Sequence, residues 1–179
     1  LEPRRHIPIA SIDPAVAART ITLMSASKSF NIAGLCIAFA HCGSPALQKS
    51  FCAVPKHLRG GANAISLAAV TAAWQHGDEW LSAVLGTLRE NRARLGEWLS
   101  ASAPEIAYLP PEATYLAWLD CAALNLQPNP YRYFLREAKV ALSEGLRFGE
   151  PGRDHVRINF ATSPEILEQI LLRLERALT

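Results

Sequence analysis

The sequence predicts an α/β chain in which part of a larger sheet is followed by a small α+β layer. Three observations predict it. Two apolar runs of strand length lie close together before residue 45, a long amphipathic helix pattern spans Asp78 to about Ser100, and beyond it short strands alternate with helices.

Taken in order, Thr20 to Met24 reads as a short strand, since β-branched and apolar residues run together ahead of the polar loop Ser25-Ala26-Ser27-Lys28-Ser29. Leu35 to Ala40, bounded by Gly34 and Gly43, fits a strand buried on both faces, and two such strands imply a larger sheet. Ser44-Pro45 opens a helix that runs to about Val54, where Pro55 stops it. Gly60-Gly61-Ala62-Asn63 is a turn into an Ala-rich helix, Ala64 to about Gln75, with Gly77-Asp78 marking the start of the next. In that long helix Trp80, Leu81, Val84, Leu85, Leu88, Leu95, Trp98 and Leu99 recur near a 3.6-residue period. Strands are expected at Ile106 to Leu109, Tyr115 to Leu119 and Val156 to Phe160, with a helix from about Tyr131 to Leu142 between them. Ser163-Pro164 starts a last helix whose stripe is Ile166, Leu167, Ile170, Leu171, Leu174 and Leu178.

Composition narrows the function. With 179 residues, 50% hydrophobic and 19% charged, the chain is globular rather than disordered. Its longest apolar run, Ile32 to Ala40, is too short to span a bilayer, and Arg4 and Arg5 lead into no signal-peptide core. A net charge of +2 with scattered basic residues argues against nucleic acid as partner. Cys36, Cys42, Cys52 and Cys121 form no CxxC pair, so small buried cysteines in a reduced, cytosolic protein are expected, and His41-Cys42 suggests no zinc site.

Ser25-Ala26-Ser27-Lys28 matches S-x-x-K, but the companion S-D-N and K-T-G elements of penicillin-binding proteins are missing. What stands out is Lys28 itself, placed after a strand and followed by the apolar stretch Phe30 to Leu35. Such a setting would desolvate the amine and leave it nucleophilic, as a Schiff-base lysine requires; a solvated surface lysine is the other reading.

Ser25-Ala26-Ser27-Lys28-Ser29-Phe30-Asn31-Ile32-Ala33-Gly34-Leu35 resembles the cofactor-lysine segment of fold-type I pyridoxal-phosphate enzymes. The Asn-Ile-Ala-Gly-Leu continuation is similar to the cystathionine β-lyase and PatB-like carbon–sulfur lyases of the class I/II aminotransferase family. Ala113 to Asp120, Val140 to Gly145 with Phe148-Gly149, and Val156 to Ala161 resemble the same group in the same order, so the likeness covers essentially the whole chain.

The resemblance implies a cofactor, pyridoxal 5'-phosphate, held by Lys28, which also serves as the base at the substrate's α-carbon. It implies that Arg157 binds the substrate carboxylate, against the alternative of a surface ion pair, and that Ser25 contacts the cofactor phosphate, against ordinary turn chemistry. Asn63 is a weaker cofactor contact, on a loop directed towards a neighbouring subunit, while Tyr115 and Trp118 read as core strand residues. The implied reaction is β-elimination of cystathionine or a related cysteine S-conjugate to thiol, pyruvate and ammonia, in a cytoplasmic homodimer.

Two departures qualify the likeness. The common aminotransferase pattern places an arginine eight residues after the lysine, where this chain has Cys36. The acidic partner of the cofactor ring, the stacking aromatic and the glycine-rich phosphate turn have no match here, which implies the C-terminal half of an enzyme. Residues 1–95 would then be the end of the large cofactor domain and 96–179 the small domain, inactive without the N-terminal half as partner. A class I/II aminotransferase and a non-catalytic interaction module are the alternative readings.

Overall fold

Several helix starts in this chain are set by a short polar side chain followed by proline. Asp13 Oδ1 accepts the N–H groups of Ala15 (2.7 Å) and Val16 (3.4 Å) to begin α1, Pro14–Ala18. Ser44 Oγ does the same for Leu47 at the head of α2, Pro45–Ala53. The computed structural model describes Leu1 and residues 5–179, so Arg4 lies outside the described residues. The chain divides into two compact units, Arg5–Ala83 and Val84–Thr179, the latter including Leu1.

In the first unit β1, Ile21–Met24, pairs antiparallel with β2, Phe39–Cys42, with Ile21 opposite Cys42 and Met24 opposite Phe39. The second strand therefore starts later than the apolar run predicted. Ala33–Leu35 is a 3₁₀ turn and Cys36 takes a left-handed φ of 48°. A left-handed residue breaks the extended run, and the turn around it is held by side chains: the Ser66 hydroxyl donates to the Leu35 carbonyl at 2.7 Å and the Ser25 hydroxyl to the Ile37 carbonyl at 2.6 Å. Nor is β2 buried on both faces. Among the described residues β1 and β2 form a two-stranded ribbon rather than part of a larger sheet, and Ile21, Leu23 and Met24 are exposed on it.

After α2, Val54 is extended ahead of Pro55, and a short helix that the sequence did not predict, α3 (Lys56–Arg59), leads to Gly60. Asn63 Oδ1 accepts the Ser66 N–H at 2.8 Å and caps α4, Ala64–His76. Val70 of α4 buries itself with Ala26 and Ile37, and Phe30, Ile32 and Phe39 pack around them. Helix α5, Asp78–Ser102, follows directly; its residues from Val84 belong to the second unit.

The second unit is an antiparallel sheet in the order β3 (Ala107–Tyr108), β4 (Leu116–Asp120), β6 (His155–Asn159), β5 (Ser143–Glu144). Ala117, Leu119, Val156 and Ile158 point to one face, where they are buried with Leu95, Trp98 and Leu99 of α5. The closing helix α7, Pro164–Leu178, adds Leu167, Leu171 and Leu174 to that core. Ile166, predicted in the same stripe, is 51% exposed because it lies a third of a turn away from Leu167.

The helix predicted over Tyr131 to Leu142 is much shorter. Asn129 caps α6, Pro130–Tyr133, which runs on as one wide π turn, Phe134–Ala138, and stops at Lys139 with φ 56°. Reversal there drops Val140 into the core and frees Ser143–Glu144 to form the edge strand β5. Between β5 and β6 the chain makes two 3₁₀ turns, Gly145–Phe148 and Glu150–Gly152, joined by Gly149 at φ +119°. Gly145 and Gly152 pass so closely that a Cβ on either would strike the other's carbonyl oxygen.

The cysteines are less buried than expected. Cys36 and Cys52 are exposed, Cys42 is half-buried, and Cys121 alone lies in the core. No helix among the described residues is long and apolar enough to cross a membrane, and no group of three or more His, Cys, Asp or Glu among them is placed to hold a metal ion.

Candidate functional site

Ser25, Lys28 and Asn63 lie in the first unit and Arg157 in the second, so each group is described within its own unit.

Lys28 sits on a single helical turn at the C-terminal end of β1. The Phe30 N–H bonds back to the Ala26 carbonyl at 3.0 Å and the Ile32 N–H to the Ser27 carbonyl at 3.0 Å, while Asn31 takes a left-handed φ of 54°. This is the Schellman arrangement, with asparagine in the conformation it tolerates better than most residues. Ala26, 1% exposed, anchors the turn from below. The lysine is therefore carried on a held backbone. Its side chain is exposed and, among the described residues, has no hydrogen-bond or ion-pair partner. The apolar stretch after it does not cover it within this unit, because Phe30 and Ile32 turn away to pack on the small core instead.

Ser25 is committed within the same turn. Its hydroxyl donates to the Ile37 carbonyl at 2.6 Å, lies 2.6 Å from the Ser27 hydroxyl and accepts the Ser27 N–H at 3.1 Å. With one proton, and that given to Ile37, Ser25 leaves Ser27 as the donor between the two hydroxyls. Asn63 spends its carbonyl on the α4 cap.

Arg157 lies in the middle of β6, paired with Trp118 of β4 on one side and Ser143 of β5 on the other. Alternation puts Trp118, Arg157 and Ser143 on the sheet face opposite the helices. Trp118, expected in the core, is 38% exposed for that reason. The Arg157 Cζ lies 4.7 Å from the centroid of the Phe148 ring, and its Nη2 donates to Ser143 Oγ at 3.3 Å. Its Nε is buried without a partner among the described residues. A pocket of about 270 Å³ opens here between Tyr131, Ser143, Glu144, Arg147, Phe148 and Arg157. Glu144 faces Arg147 at 3.7 Å and accepts from Asn129 at 3.3 Å, which leaves Arg157 as the pocket's cation without a carboxylate partner among the described residues. A half-buried guanidinium that lines a pocket and keeps donors unspent among the described residues offers the planar fork that can grip a carboxylate by two parallel hydrogen bonds.

The roles of Ser143 and Phe148 were not evident from the sequence, although both lie in segments that carry the family resemblance. The one signal was three glycines, Gly145, Gly149 and Gly152, around a single aromatic.

Known proteins are similar to this chain along nearly its whole length. The model of the family described as aminotransferase class I and II matches residues 3–174. A Mycobacterium leprae protein provisionally named a cystathionine beta-lyase is 39% identical over 187 residues, covering 97% of this chain and 46% of that protein. The cystathionine beta-lyase PatB of Bacillus subtilis is 30% identical, over 98% of this chain and 46% of its own. Among solved structures, the PLP-bound C-S lyase of Staphylococcus hominis superposes with a TM-score of 0.87 at 32% identity, over 98% of this chain and 46% of that one. The chain thus spans about half the length of the curated relatives it matches.

Proposed function

The chain belongs to the aminotransferase class I and II family, and from that membership we propose that it carries the cofactor lysine and the carboxylate-binding arginine of a pyridoxal-phosphate-dependent carbon–sulfur β-lyase. The observation that carries the reading is the Arg157 guanidinium, half-buried in its pocket with Nε unpaired among the described residues. The relatives named as cystathionine and C-S lyases supply the reaction class.

The donor set near Lys28 fits the cofactor at its carbonyl end. A primary amine without a partner among the described residues, on a turn fixed by two backbone bonds, is what covalent capture of an aldehyde needs. The hydroxyls of Ser25 and Ser27 are neutral donors that could turn towards a phosphate, so the cation for that phosphate comes from outside this turn. When bound, pyridoxal phosphate supplies an electron-poor ring that accommodates the negative charge left at the substrate α-carbon.

The remaining work falls to the chain's own groups. Arg157 binds the α-carboxylate through its fork and so fixes the direction of the Cα–H bond. Lys28 Nζ takes the α-proton. The Cβ–S bond then breaks, the sulfur keeps the electron pair and leaves as a thiol after protonation, and water converts the three-carbon remainder to pyruvate and ammonia. The substrate is cystathionine or a related cysteine S-conjugate, and in the same reading the enzyme is a cytoplasmic homodimer completed by residues outside this chain.

The test is to supply the protein, expressed from its complete reading frame, with cystathionine and no keto acid. Sustained release of thiol, pyruvate and ammonia is expected. Turnover that continues only when a keto acid is added would replace the lyase with an aminotransferase.

A further inference from the structure

Phe148 presents an apparent conflict between sequence and environment. It is a large aromatic that is 56% exposed, at the tip of a loop whose glycines leave little freedom, and Trp118 beside it is also open to solvent at 38%. Burial does not explain either ring. What they do share is an ordered chain of contacts that ends on Arg157, one of the charged groups of the pocket. The His155 ring stacks on Trp118 at 5.2 Å and 23°, and Trp118 meets Phe148 edge to face at 5.4 Å and 89°. The Phe148 face in turn carries the Arg157 guanidinium, with Cζ 4.7 Å from the ring centroid.

We infer that Phe148 is a positioning residue for carboxylate binding: its ring fixes the plane of the Arg157 guanidinium, and Trp118 braces that ring. This rests on reading Arg157 as the carboxylate receptor. The hydrogen bonding of Arg157 is too sparse to hold the plane alone, because among the described residues the side chain has one bond, long at 3.3 Å, to Ser143, and Nε has none. A single bond to one nitrogen leaves the fork free to rotate about it. Contact with a ring face removes that freedom while leaving the donor edge open, since a guanidinium stacks through its faces and donates through its edge. An arginine already held in its binding orientation loses less entropy when the anion arrives. The loop is built for this placement, because Gly145 and Gly152 admit no side chain and Gly149 needs a positive φ.

Propionate, a bare carboxylate, is the probe, titrated into the protein expressed from its complete reading frame by calorimetry and followed through the Arg157 Nε–H signal by nuclear magnetic resonance. In the parent protein that signal, identified by its loss in Arg157→Lys, should be shifted by the Phe148 ring current and should move on titration. Phe148→Leu keeps the bulk and loses the ring; it should abolish the ring-current shift and weaken propionate binding about 3- to 10-fold, as loss of one cation–π contact predicts, and Phe148→Tyr should restore both. Unchanged affinity in Phe148→Leu, with binding lost in Arg157→Lys, overturns the role of Phe148 and leaves the arginine's intact. Unchanged affinity in Arg157→Lys overturns the carboxylate reading itself. Should Phe148→Leu fail to fold, Trp118→Leu decides: it keeps Phe148 and removes its brace, a 2- to 3-fold loss on the same order-of-magnitude scale is expected, and no loss would sink the inference.

Discussion

The side-chain amide of Asn91 donates to the backbone carbonyl of Phe160 at 2.9 Å, and the same nitrogen reaches the Thr162 carbonyl at 2.8 Å. Asn91 is 1% exposed on α5, and Phe160 directly follows β6, so one buried amide ties the helix to the end of the strand that carries Arg157. Asn91→Ala leaves two carbonyls without their donor and opens a cavity, and should cost about 2–4 kcal/mol of unfolding free energy in urea titrations. Asn91→Asp tests the chemistry separately from the shape. An ionised carboxylate facing two carbonyls has nothing to donate, so its folded-state pKa must lie above its unfolded one. The variant should therefore be most stable at acid pH, below the unfolded carboxyl range, and lose that stability as pH rises through the folded value.

Lys28 is expected to be dispensable for folding and indispensable for chemistry. Because the side chain is exposed and unpartnered among the described residues, Lys28→Ala should change unfolding free energy by no more than about 0.5 kcal/mol. The same change should remove the visible absorption of the protein with its cofactor, its bleaching by borohydride, and β-elimination by roughly 10³-fold, the scale of a lost general base. A variant that stays coloured and active would show that the amine lies elsewhere.

The pattern of what could be read in advance follows from how far each signal reaches along the chain. Ser44-Pro45 and Ser163-Pro164 announce their helices because a cap acts within three residues, and the structure places α2 and α7 where they indicate. The strand expected over Leu35 to Ala40 starts later because a 3₁₀ turn and the left-handed Cys36 interrupt it, and that turn is held by two hydroxyls 12 and 31 residues distant from the carbonyls they bond. No short window of sequence contains those contacts. The helix expected to reach Leu142 ended at Ala138 because the core needed Val140 more than the helix period did. The Phe148 contact to Arg157 likewise depends on a close glycine crossing, which the three glycines hinted at but did not specify.

That crossing makes a contrast between two glycines measurable. At Gly145 an added methyl would collide with the Gly152 and His155 backbone carbonyls, which cannot move without shifting β6. Gly145→Ala should destabilise the protein by at least about 2 kcal/mol, on the scale of other overpacked sites. At Gly86, inside α5, an added Cβ meets nothing within 4 Å. Gly86→Ala should therefore stabilise the helix by about 0.5–1 kcal/mol through backbone entropy alone. Thermal unfolding of the two variants beside the parent checks both signs, and a neutral Gly145→Ala would mean that the loop holding Phe148 is looser than it looks.

The thiols provide a separate check on the second unit's core. Cys121 is buried at the end of β4, and burial, reinforced by the charges of Asp120 and Asp154, pushes its pKa from the ordinary 9.0 up to about 12. Because the folded value is raised, the folded state holds this proton more tightly than the unfolded chain does. The stability it represents is fully present below pH 9.0 and is lost as pH rises from there towards about 12. The phenol of Tyr108, raised by burial against the opposing charge of Arg92, acts in the same direction. Unfolding free energy should accordingly fall above pH 9, and Cys121→Ala should flatten that fall while costing stability at neutral pH. The same burial predicts reactivity, since the thiolate is the nucleophile and must be accessible. At pH 8 an aromatic disulfide reagent should label the exposed Cys36 and Cys52 quickly and Cys121 only after denaturant is added. Rapid labelling of Cys121 in the native protein would mean that the core between the sheet and α5 opens far more readily than its packing implies.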